Sequence, residues 1–207
     1  MGFKKSAWRI LFVLLFAITA WAGSGKSEPG QIVVRVLNHA RIAQPEIISA
    51  EAEAGRIFRA AGLEIRWVDC SKRDCHEVLG TNEFVLNIVP DGRTTSDLVF
   101  GVAFLGPNGE GKYADVFFRR IEAASACDGQ NISRMLGTVA AHELGHLLLG
   151  SHAHSRGGIM NASWGKETLR RVAMGNLLFT SDQAALMKAR MGGNGLFLAR
   201  GEKAERF

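Results

Sequence analysis

HELGHLLLGSHAHSRGGIM, residues 142–160, is the stretch from which the rest of the chain can be placed. On a helix, residues four apart lie one turn above each other, so His142 and His146 aim their imidazoles at the same point. Zn²⁺ accepts neutral imidazole nitrogen at ~2.0–2.1 Å, and two ligands from one helix leave room for a third from the loop that follows and an open position for water. Glu143, beside the first ligand, is then placed to take a proton from that water, and the metal lowers the pKa of the water to ~7. A histidine satisfied in a core explains one such residue. It does not explain why four of the chain's six histidines fall between positions 142 and 154.

The surroundings support a helix. Ile132, Met135, Leu136, Val139 and Ala140 recur at helical spacing upstream of the motif. Asp128, Asn131 or Ser133 can cap its start, and Gly150, just past Leu147–Leu149, offers a left-handed stop.

HExxH followed by a glycine turn, further histidines and a methionine resembles the metzincin clan of zinc metallopeptidases, whose pattern is H-E-x-x-H-x-x-G-x-x-H and then a methionine turn. More narrowly, the stretch is similar to a group of secreted bacterial proteins carrying HE(I/L)GHLLLGxxxHSxxGIM, a group that AGLEIRWVDC, residues 61–70, also resembles. The resemblance implies that His142 and His146 are zinc ligands, Glu143 the general base and Met160 the residue lying beneath the metal. The third ligand stays open. Counted from His142 it is His152, counted from the glycine it is neither later histidine, and the HSxxGIM segment of the narrower group points to His154, which is preferred. The implied fold is an α/β (α+β) zincin: a twisted mixed sheet of about five strands over the active-site helix, with a small helical C-terminal part. The implied activity is hydrolysis of internal peptide bonds, with Zn²⁺ as cofactor and a peptide or protein as substrate. A non-catalytic zinc-binding or envelope-interaction protein on the same fold is the alternative. Glu143 argues against it, because a purely structural zinc site closes its fourth position and needs no base.

Residues 1–22 read as a secretory signal: Lys4, Lys5 and Arg9, an apolar run from Ile10 to Ala20, and Ala20-Trp21-Ala22 as a cleavage site. The run falls short of the ~20 apolar residues of a comfortable membrane span. An uncleaved anchor, with Trp8 and Trp21 at the two interfaces, is the competing reading. Export to a periplasmic or extracellular compartment is expected, with no stable membrane association after cleavage. The formal charge of +5 drops to about +2 once the three basic residues of the segment are removed. No basic run interleaved with aromatics remains, which excludes a nucleic-acid partner. Residues 23–207 suit one domain, its upper part about 30–150 and its lower part about 151–191, and a monomer is expected.

The elements follow from pattern. Gln31–Leu37, Leu63–Val68, Glu83–Val89, Leu98–Leu105 and Tyr113–Phe118 read as strands, and Pro45–Ala61 as a helix closed by Gly62. Strand, helix, strand at this spacing is a crossover, so the first two strands should be parallel. After Met160 a helix is expected over Lys166–Met174 and another from Ser181 to about Met191. Gly101 inside the fourth strand marks either a bulge or a close approach of another backbone. In the family that the chain resembles, the strand above the metal pairs with extended substrate, so Gly101, Val102, Ala103 and Phe104 would form the substrate rim. Trp164 either lines a pocket near the metal or belongs to the core. In an exported chain Cys70 and Cys75 suit a local disulfide, with Cys127 a free thiol or the true partner of one of them.

Overall fold

The computed structural model describes residues 31–71, 75–92, 99–129, 131–162 and 164–192. The leading segment 1–22 and the side chain of Cys127 lie outside them. The elements in chain order are β1 (Ile32–Asn38), α1 (Gln44–Ala60), β2 (Ile65–Asp69), β3 (Glu83–Val89), β4 (Gly101–Phe104), β5 (Tyr113–Phe117), α2 (Phe118–Asp128), α3 (Ile132–Leu149), α4 (Lys166–Ala173) and α5 (Ser181–Met191).

The sheet runs β2-β1-β3-β5-β4. β1 pairs in parallel with both β2 and β3, β3 pairs in parallel with β5, and β4 closes one side antiparallel to β5. The β1-α1-β2 crossover is therefore parallel, as the spacing predicts. Along β1, Ile32, Val34 and Val36 point to the helical side and join Ala54, Ile57 and Phe58 of α1 and Met135, Leu136 and Val139 of α3 in one core. Fully burying one such aliphatic or phenyl side chain contributes ~1.5–3 kcal/mol. Helix α3, which carries the motif, is packed between α1 and the β4–β5 side of the sheet and buries nearly its whole surface. Among the described residues no helix is long and apolar enough to cross a membrane.

Two expectations need correction. The fourth strand is only Gly101–Phe104, because the chain turns immediately afterwards, with Gly106 N–H donating to the Glu110 carbonyl at 2.7 Å; Leu98 lies outside the described residues. The fifth strand stops at Phe117, and the connection to the motif helix is itself helical. Among the described side chains of α2, Arg120, Ile121 and Ser125 are buried, and an arginine, an isoleucine and a serine do not stand out as an apolar stripe. The other elements agree with the reading to within two residues at each end. Cys70 and Cys75 form a disulfide.

Candidate metal centre

Asn131 is the cap of α3: its side-chain oxygen accepts the Arg134 backbone N–H at 2.9 Å. Gly150 ends the helix at φ 64°, the left-handed conformation that glycine adopts at low cost. Between these two points the helix carries His142, Glu143 and His146, all buried.

The two helical imidazoles are fixed from behind. His142 Nδ1–H donates to the Ile159 carbonyl and His146 Nδ1–H to the Ser151 carbonyl, each at 2.7 Å. A carbonyl can only accept, so both rings carry their proton on Nδ1 and turn an Nε2 lone pair inward. Those two Nε2 atoms stand 3.1 Å apart. His154 completes the cluster from the loop, with its ring stacked 5.4 Å from His142 and edge-on 4.9 Å from His146. One ligand atom from each of the three lies within 4.8 Å of the others. His152 stands outside that group, its ring 6.2 Å from that of His146, and lines the same cavity.

This donor set fits a zinc ion. Two acceptor lone pairs facing each other in a buried site repel unless a cation lies between them. Tetrahedral bonds of ~2.0–2.1 Å put neighbouring donors about 3.3–3.4 Å apart, close to the Nε2 separation observed. Burial pushes the His142 imidazole down to about 4, against the raising effect of the Ile159 carbonyl, and His146 and His154 also lie below the usual histidine value mainly through burial. Neutral imidazole is the form that binds metal.

Glu143 opens into the same cavity, and burial raises its carboxyl to about 8. Gly101 lies against it. A Cβ at that position would come 2.7 Å from Glu143 Cγ, 2.8 Å from its Oε1 and 2.8 Å from the Asp115 carbonyl oxygen. Gly101 pairs regularly with Val116, so it is not a bulge, and what approaches it closely is the glutamate side chain together with the neighbouring strand. Gly101, Val102 and Ala103 line the cavity, whereas Phe104 at the end of β4 is half exposed and does not.

The methionine loop sits beneath α3. Met160 is fully buried, and at Gly145, between the two helical histidines, an added Cβ would come 2.8 Å from the Met160 Sδ. The loop is tied down by Ser155 N–H donating to the Met160 carbonyl and by Gln183 of α5, whose amide donates to Ser155 Oγ at 3.1 Å. Trp164 takes part in the site: its ring is 5.8 Å from His142 and 5.8 Å from Phe100. Phe100, Val99, Val139 and Ala162 complete the apolar side of the cavity. These four were missed in the sequence; the one available signal was that Phe100 directly precedes the informative Gly101.

No family model and no curated protein sequence matches the chain. Among solved structures it is similar to a zinc-dependent peptidase from Methanocorpusculum labreanum, at 14% identity and a TM-score of 0.52 over 74% of this chain and 99% of that one. It is also similar to archaemetzincin from Methanopyrus kandleri, at 15% identity and a TM-score of 0.54 over 80% of this chain and 97% of that one. The fold is therefore zincin-like, a five-stranded mixed sheet over the motif helix.

Proposed function

We propose that the chain is an exported zinc metalloendopeptidase, with His142, His146 and His154 as ligands and Glu143 as general base. The observation that carries this is the pair of inward-facing Nε2 lone pairs 3.1 Å apart, with a third imidazole and a buried carboxyl beside them. The similarity of the fold to a zinc-dependent peptidase and to archaemetzincin supports it. So does the signal-like composition of residues 1–22, which supports export.

His142, His146 and His154 would hold the zinc, which when bound would supply Lewis acidity to the scissile carbonyl and to the attacking water. A cation on the imidazoles would favour the ionised form of the buried Glu143 carboxyl, which would then take the proton of that water and pass it to the leaving amine, with no covalent bond to the protein. The Ile159 and Ser151 carbonyls hold the ligand tautomers. Among the described residues β4 has β5 on one side only, and its outer edge offers backbone groups to an extended peptide at Gly101–Phe104.

The test is Glu143→Gln. Against casein or a peptide library, turnover should fall by at least ~10²-fold while one zinc per chain is retained. Full activity in the variant removes Glu143 from the mechanism; a wild-type protein that binds zinc and cleaves nothing supports the non-catalytic alternative.

A further inference from the structure

The cavity in front of Glu143 has two unlike sides. One is the imidazole cluster; the other is apolar and built around the contact between Phe100 and Trp164. Both rings are held in place. Phe100 is buried at the head of β4, and the Trp164 indole N–H donates to the Asn161 carbonyl at 3.1 Å, so the indole turns carbon surface to the cavity. Its other flank meets His142 edge-on. The wall is thus packed against the proposed ligand His142. The whole cavity, open to solvent on one side and shared with the imidazoles, measures about 200 Å³. Pockets for drug-sized ligands run from ~300 to 1,000 Å³, and this one must also admit the scissile peptide unit. What is left accommodates one short side chain. A charged side chain laid against the two rings would lose its hydration to carbon surface.

We infer that the Phe100–Trp164 pair sets the specificity of the site, admitting a small aliphatic side chain of alanine or valine size beside the scissile bond and rejecting aromatic and charged ones. The inference rests on the peptidase reading above.

Zinc-loaded wild type, Trp164→Ala and Trp164→Phe should be profiled on a peptide library varied around one cleavable bond. Wild type should favour alanine and valine over leucine and phenylalanine by roughly tenfold or more, and Trp164→Ala should move the ranking toward the larger residues by a similar factor. Trp164→Phe should fall between. The same reordering should be seen without turnover, as peptide affinity by fluorescence polarisation in a Glu143→Gln background. If Trp164→Ala loses its zinc or its cooperative melt, Phe100→Leu trims the same wall from the strand side and should shift the ranking in the same direction. Cleavage with an unmoved ranking, or a wild type that prefers aromatic residues, overturns the role of the pair and leaves the peptidase reading standing. No cleavage by any form, wild type included, overturns the peptidase reading and this inference with it.

Discussion

Two of the polar clusters buried among the described residues are compensated in opposite ways. On the sheet face turned away from α3, the Arg35 guanidinium donates to the Cys75 and Glu77 carbonyls at 3.0 and 2.7 Å and to Glu83 Oε2 at 2.8 Å, and the same oxygen accepts the Gly80 N–H. Charge meets opposite charge, and the loop beyond the Cys70–Cys75 disulfide is fastened to the sheet. Under the β4–β5 side, His142, Glu143 and His146 are just as buried, yet no basic side chain among the described residues stands beside the carboxyl, and the imidazole lone pairs converge on one another. Burial is equal in the two places. What separates a structural cluster from a chemical one is whether the chain supplies the countercharge itself.

The comparison can be broken by changing its members one at a time. His154→Ala should have the largest effect: it removes the proposed loop ligand, and zinc content after dialysis together with peptidase activity should be lost. His152→Ala should keep both, and the reverse result would reassign the third ligand. Next, Glu83→Ala leaves Arg35 buried and without its carboxylate, and should cost ~3–5 kcal/mol of stability in a urea melt. Zinc stoichiometry and turnover per folded molecule should be unchanged, because this cluster does no chemistry. A smaller effect is expected from Gly101→Ala. The added methyl group pushes on the Glu143 side chain and the Asp115 carbonyl, so kcat should drop about tenfold, or ~1.4 kcal/mol in the barrier, with KM and zinc content held. An unchanged kcat would show that the glutamate needs no glycine above it. The smallest is Asn131→Ala, which deletes the α3 cap and should lower stability by ~1 kcal/mol without altering activity.

Much of the fold was legible because its signals are local. The β-branched run at Ile32–Val36, the helical spacing of Ile47, Ala54, Ile57 and Phe58, and the glycine that closes α3 each depend on residues a few positions apart. Helix α2 was missed for the converse reason, since its apolar anchors Phe118 and Ile121 are followed by small and polar residues, of which Ser125 is buried against Met135 of α3. The fourth strand was read too long because an apolar run does not record where the chain turns.

In the same way, periodicity alone placed His142, Glu143 and His146 together, since a helix fixes the distance between residues four apart whatever surrounds it. Neither the geometry of His154 against His152, nor the glutamate under Gly101, nor the Phe100–Trp164 wall could be read along the chain. Each depends on where a loop or strand distant in sequence comes to rest against α3, and only packing of the whole sheet on that helix decides it.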